Sequence, residues 1–140
     1  MKWFVYNCLF FVAYLAMMPS FLIRMKRRGG YKARMGDRFG KYPDEIVARL
    51  RANAEKGPIW IHAVSVGEVQ VAAQLMRALR ERDASVRFVF STTSSTGWKM
   101  AEREVTERDV LIYNPLDFPN FVKSALMSVR PRAIVLTESE

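Results

Sequence analysis

The sequence predicts an α/β fold built on a Rossmann-like parallel sheet. Three observations carry this. Short apolar runs, each the length of one strand, recur along residues 58–140. A segment of helical or turn-forming character separates each run from the next. The 140 residues leave room for one domain and a short appendage. Strands that alternate with helices at this spacing form right-handed βαβ units, and such units form a parallel sheet.

The elements run in order along the chain. Ile59–Ser65 is the first apolar run and reads as a buried strand. Val69–Arg82 is helical: Val71, Leu75, Ala78 and Leu79 share one face, with Arg77, Arg80 and Glu81 opposite. Val86–Thr92, rich in Val and Phe, is the second strand. Thr93–Thr96 then form a polar turn, and Gly97 opens a second helix over about 97–106. Val110–Asn114 is the third strand. Asp117 with Pro119 marks the start of a helix over 118–129, and Ala133–Thr137 is the fourth strand. A strand ending beside Glu138 and Glu140 with no helix behind it is expected to belong to a longer protein.

Ahead of this domain the composition changes. Residues 3–23 carry no charge, and as a helix they reach about 30 Å, the thickness of a bilayer core. Trp3 and Tyr6 stand near one end, and Arg24, Lys26, Arg27 and Arg28 flank the other. A cleaved signal peptide would carry its charge before the apolar run, and a buried core helix seldom runs so long uncharged. The pattern favours a membrane anchor, with the rest of the chain on the cytoplasmic side. The expected organisation is an anchor helix and basic flank at 1–28, a basic juxtamembrane segment and linker at 29–57, and an incomplete Rossmann-like domain at 58–140.

Charge agrees with that division. The net charge is +8, of which residues 1–49 hold +7, with ten Lys and Arg against three acids. Residues 24–42 interleave basic with apolar or aromatic side chains. This reads as a stop-transfer cluster or as a surface for anionic head groups. Nucleic acid fits less well, because the charge abuts an apolar span.

Several chemistries lack their residues. Cys8 is the single cysteine and His62 the single histidine, so neither a disulfide framework nor a Cys/His zinc site is available. P-loop, dinucleotide-fingerprint and nucleophile-elbow motifs are missing. His62 lies within a strand and reads as a core histidine, and no bound metal is expected.

Parallel sheets bind ligands beyond the carboxyl ends of their strands. That directs attention to residues 64–68, 92–97, 114–117 and 137–140. In Ser65-Val66-Gly67-Glu68, Ser65 and Glu68 have capping-box spacing, with Ser65 as N-cap. Glu68 is equally a general base able to take a proton from an attacking hydroxyl, and the two roles compete for one carboxylate. Thr92–Thr96 are N-capping hydroxyls or a cradle for an anion or a sugar. Glu138 and Glu140 are solvated acids or, two apart on an extended chain, acids facing the same cleft as Glu68.

At these residues a family resemblance emerges. Ile59-Trp-Ile-His-Ala-Val-Ser-Val-Gly-Glu68 resembles the first strand and loop of the 3-deoxy-D-manno-octulosonic acid (Kdo) transferases of lipopolysaccharide assembly. Four further segments agree in order: Gly36-Asp-Arg-Phe-Gly40; Ser91-Thr-Thr-Ser-Ser-Thr-Gly97; Tyr113-Asn-Pro-Leu-Asp-Phe-Pro119; and Arg130-Pro-Arg-Ala-Ile-Val-Leu-Thr-Glu-Ser-Glu140. Asp37 stands where that family commonly has glutamate, and Ser95 where it often has proline.

The resemblance implies the N-terminal, acceptor-side domain of a GT-B glycosyltransferase. It implies transfer of Kdo from CMP-Kdo to a lipid A precursor, with inversion and without cofactor or metal. Glu68 would be the general base and Glu138 would support the transition state. Ser65, Gly67, Thr93, Ser94, Thr96, Gly97 and Arg38 are the expected substrate-binding residues. The expected setting is the cytoplasmic side of a bacterial inner membrane, with anionic lipids as partners. CMP-Kdo would be held by a further domain, so these 140 residues alone are expected to be inactive. Two alternatives are a membrane-anchored, non-catalytic α/β interaction module or truncated relic, and another lipid-linked GT-B glycosyltransferase.

Overall fold

A computed structural model describes residues 12, 16–20, 23, 32–51 and 56–137. The chain divides into two compact units, Met1–Lys32 and Ala33–Glu140. In the first, residues 16–20 are helical, and Ser20 Oγ donates to the Met17 carbonyl at 2.8 Å. Among the described residues no helix is long and apolar enough to cross a membrane. Most of the expected anchor, residues 3–23, lies outside the described residues.

The second unit is built on four parallel strands: β1 Ile59–Ala63, β2 Phe88–Thr92, β3 Val110–Tyr113 and β4 Ala133–Thr137. Their order across the sheet is β3-β2-β1-β4. Four helices accompany them: α1 Asp44–Arg51, α2 Val66–Arg82, α3 Ser95–Ala101 and α4 Pro119–Val129. The predicted parallel α/β sheet is therefore present, with all four strands where the apolar runs stand.

Side-chain alternation along each strand divides the core into two layers. On one face Ile61, Ala63, Phe88, Phe90 and Leu111 meet Val69, Ala72 and Met76 of α2 and Ala101 of α3. On the other, Trp60, Val89, Val110 and Ile112 meet Ile46 and Leu50 of α1 and Ala125 and Val129 of α4. Truncating a fully buried core aromatic such as Phe90 costs about 3–5 kcal/mol.

These layers fix the position of the functional edge. From β1 the chain steps to β2 and then β3, with α2 and α3 on one face. It then returns through α4, on the other face, to β4 on the far side of β1. The direction of winding reverses between β1 and β4, and such switch points open a crevice at the carboxyl ends. Ile134 and Leu136 of β4 pair in register with Trp60 and His62, and both are more than half exposed.

Element boundaries differ from the predicted ones for local reasons. Helix α2 starts at Val66 because Ser65 caps it. Strand β2 starts at Phe88 because the Val86 amide closes a turn onto the Asp83 carbonyl. Helix α3 runs from Ser95 to Ala101 instead of 97–106. Ser94 caps its start, and beyond its end the Thr106 amide donates to the Asp109 carboxylate at 2.8 Å. At α4 Pro119 opens the helix as predicted, but the N-cap is Phe118, without a side-chain cap bond.

The stretch from residue 32 to 51 is ordered against the sheet. A 3₁₀ segment, Lys32–Phe39, is kinked at Arg34 and leads through Tyr42 into α1. It seals the outer edge of β3. The Asp37 carboxylate accepts the Tyr113 amide at 3.0 Å, and Arg34 Nη2 donates to the Leu111 carbonyl at 3.1 Å. Arg34 and Asp37 are themselves ion-paired at 2.9 Å. Two side chains thus satisfy an edge that would otherwise present free donors and acceptors to another chain. Arg34 and Arg38, which belong to the basic stretch 24–42 expected to face anionic head groups, are drawn inward by carbonyls and a carboxylate.

Candidate active site

The β1–α2 loop leaves the sheet at the switch point. Ser65 adopts an extended N-cap conformation, and its hydroxyl accepts the Glu68 amide at 3.2 Å. The same hydroxyl donates to Glu68 Oε1 at 2.8 Å, while the Val64 amide donates to Oε2 at 2.7 Å. This is a capping box displaced by one residue, since the carboxylate takes the amide before the N-cap. Val64–Gly67 are exposed and Glu68 is half-buried, so the carboxylate stands at the rim. A Cβ added at Gly67 would meet only Ser65 Oγ, at 4.0 Å.

His62 lies just below this loop. Its Nδ1 is 3.1 Å from the Ser91 carbonyl and 3.0 Å from Ser91 Oγ, which also accepts from Trp60 Nε1 at 2.8 Å. Burial lowers its pKa, the Ser91 carbonyl and the Glu68 carboxylate oppose that, and Arg38 reinforces it. His62 is thus a half-buried, hydrogen-bonded histidine within the electrostatic reach of Glu68 and Arg38. Among the described residues no three His, Cys, Asp or Glu gather as metal ligands.

The β2–α3 loop emerges alongside, because Ala63 and Thr92 are register partners. Ser94 caps α3, accepting the Gly97 amide at 3.0 Å. Thr93 and Thr96 are exposed, Ser94 is half-buried and Gly97 is buried. A Cβ at Gly97 would collide with Thr92 Oγ1 and lie 3.2 Å from Ser94 Oγ. Thr92 Oγ1 is buried and, among the described residues, finds no hydrogen-bond partner.

Arg38 sits behind the β2–α3 loop and is only 7% exposed. Its Nη2 donates to the Thr93 carbonyl, and its Nη1 to the Asn114 carbonyl at 3.3 Å. Its Cζ lies 4.8 Å from the centre of the Tyr113 ring. Arg34 and Asp37 pair three residues apart, but their bonds to the edge of β3, and that of Asn114 to Arg38, join residues far apart in sequence and have no short-range signal.

On the other side of β1, Thr137 pairs with Ala63, and its hydroxyl donates to the His62 carbonyl at 2.8 Å. Strand β4 therefore ends at Thr137 beside the end of β1 at Ala63. Glu138 and Glu140 lie outside the described residues. The structure brings Ser65, Gly67 and Glu68 into one loop and Thr93, Ser94, Thr96 and Gly97 into the next.

Comparison with known proteins now adds to this geometry. Residues 33–140 match the family model of 3-deoxy-D-manno-octulosonic-acid transferase (kdotransferase). A 3-deoxy-D-manno-octulosonic acid transferase of Bordetella pertussis is 34% identical over 123 residues, covering 84% of this chain and 27% of the relative. The Haemophilus influenzae enzyme of that name is 30% identical over 113 residues, 79% of this chain and 24% of the relative. That of Chlamydia muridarum is 25% identical over 137 residues, 97% of this chain and 30% of the relative. The chain spans less than a third of the length of these relatives. No solved structure matches it. With an α/β unit that begins at Ala33 and a family match over 33–140, the chain belongs to the Kdo transferase family, as its N-terminal domain.

Proposed function

We propose that this chain is the acceptor-binding half of an inverting GT-B glycosyltransferase that moves Kdo from CMP-Kdo to a lipid A precursor. The observation that carries the reading is the Glu68 carboxylate, held at the rim of the β1/β4 crevice by Ser65 and the Val64 amide. Family membership supports the transfer chemistry.

In this mechanism Glu68 takes the proton of an acceptor sugar hydroxyl. The freed oxygen pair attacks the anomeric carbon of Kdo, a new glycosidic bond forms, and CMP departs with the electrons of the old bond. Attack opposite the leaving group inverts the centre. A carboxylate offers about four lone-pair sites, so one that caps a helix retains the capacity to accept a proton. Proximity to a helix N-terminus favours the ionised form. Ser65, Gly67, Thr93, Ser94, Thr96 and Gly97 line the acceptor side, and Glu138 supports the transition state. No cofactor or metal takes part, and a further domain holds CMP-Kdo.

The acceptor's location favours an enzyme on the cytoplasmic side of a bacterial inner membrane, tethered through residues 3–23. Exposed Val12, Met17 and Ile23 and the basic residues 24–32 support contact with a membrane of anionic lipids. Nucleic acid is not a partner in this reading.

The test is Glu68→Gln in the full gene product, assayed for Kdo transfer from CMP-Kdo to a lipid A precursor. Transfer is lost while the melting temperature holds. The capping geometry favours a second reading, a membrane-tethered interaction module in which Glu68 only starts α2. That reading predicts a nearly silent variant. A different nucleotide-sugar outcompeting CMP-Kdo would point instead to another lipid-linked GT-B transferase.

A further inference from the structure

We propose that Arg38 is a positioning residue, whose guanidinium clasps the β2–α3 loop to the β3–α4 loop and sets the gap between them. Its consequence for transfer rests on the proposed reaction; its geometry does not.

The two loops have reason to part. Thr92 and Tyr113 are register partners, so the chains leave β2 and β3 side by side. Helix α3 then turns to one face of the sheet and α4 to the other. A fork opens between them, and Arg38 spans it. One nitrogen donates to the Thr93 carbonyl and another to the Asn114 carbonyl, while the guanidinium lies over the Tyr113 ring.

Its backbone is fixed as well. The Leu116 amide donates to the Arg38 carbonyl at 2.9 Å. The neighbouring Asp37 is tied to the Tyr113 amide and to Arg34. Two carbonyls on different loops suit a planar donor fork, whereas a lysine ammonium is a point charge on a flexible stem. Through these two main-chain carbonyls Arg38 shapes the rim from behind.

The experiment uses the full gene product with Arg38→Lys, which keeps the stem and the charge, and Arg38→Met as a second variant. Amide hydrogen exchange is monitored by mass spectrometry, and transfer kinetics are measured alongside. In both variants exchange at 92–97 and 113–117 rises about tenfold, while β1 and α2 are unchanged. In Arg38→Lys the KM for the lipid acceptor rises about tenfold, with kcat and the donor KM within about threefold. Unchanged exchange at both loops overturns the clasp, and so does a uniform rise across the chain. A fall in kcat at constant acceptor KM overturns it too, since that assigns Arg38 to the reacting centre. If the unsubstituted protein transfers no Kdo, the proposed reaction fails on its own, and loop exchange still decides the clasp.

Discussion

The first two loops at the carboxyl edge share one design and put it to different ends. Each succeeds a strand, each starts its helix with a serine N-cap, and in each the serine hydroxyl accepts the amide three residues on. In the first loop that third residue is Glu68, so a carboxylate rises to an exposed rim. In the second it is Gly97, buried against Thr92, and Arg38 holds the loop from behind. A single residue at one cap position separates a loop that presents a carboxylate from one that is locked as a wall.

The largest expected difference lies in activity. General-base catalysis contributes about 10²–10⁴-fold, so Glu68→Gln lowers kcat by that order in the full gene product. The amide oxygen still accepts from the Val64 amide while the amide NH2 must instead donate to Ser65 Oγ, so the fold loses the charge–dipole part of the cap, about 0.3–1 kcal/mol, together with the charge assistance of both bonds. Turnover near the unsubstituted level would erase the contrast between the loops. Asp37→Ala should show the reverse pattern. It strips the partner from the Tyr113 amide and from Arg34, and breaking such a buried pair costs about 3–5 kcal/mol. Chemical denaturation reads this directly; an unchanged midpoint would show that the edge of β3 needs no seal.

Legibility tracked the range of the interactions. The four strands and the start of α2 are readable because apolar runs and a capping box are local. Residues 32–51 read as part of a basic juxtamembrane segment and linker because what orders them is distant: Arg34 meets the Leu111 carbonyl and Asp37 the Tyr113 amide. One local signal for α1 was present. Ile46 and Leu50 stand one helical turn apart, with Asp44 and Glu45 in the first turn and Arg49 and Arg51 in the last. The charge of the surrounding segment overshadows it. The capping contact of Glu68 was readable by spacing, whereas its reading as a base rests on its place at the strand exit and on the family resemblance. The inward turn of Arg38 was not readable, because its acceptors are main-chain carbonyls, which leave no mark in sequence.

The paired glycines sharpen the comparison at smaller magnitude. Gly97→Ala forces a methyl group into Thr92 Oγ1, and overpacking of this kind costs about 1–3 kcal/mol. Gly67→Ala makes only an ordinary contact with Ser65 Oγ, and replacing a helical glycine gains up to about 1 kcal/mol. Packing therefore gives a reason for Gly97 and none for Gly67. If Gly67 stays bare so that an acceptor can approach the first turn of α2, Gly67→Ala melts no lower than the parent yet transfers more slowly. Equal transfer rates would remove Gly67 from the acceptor side.

The smallest effect links the two loops through His62, which stands on β1, bonds to Ser91 of β2 and feels both Glu68 and Arg38. Its folded pKa lies below the ordinary 6.5, with burial the largest cause. As pH falls through that value the unfolded chain takes up the proton first, so its free energy drops relative to the native state. The histidine's contribution to stability is thus complete above the unfolded pKa and is lost as pH falls toward the folded one. His62→Gln keeps a side chain able to bond Ser91 but cannot titrate. Urea midpoints between about pH 5 and about pH 7.5 should fall more steeply with acid in the parent than in the variant. Parallel curves would mean that His62 is as easily protonated in the fold as in the open chain, and the junction between the loops would be wetter than its burial implies.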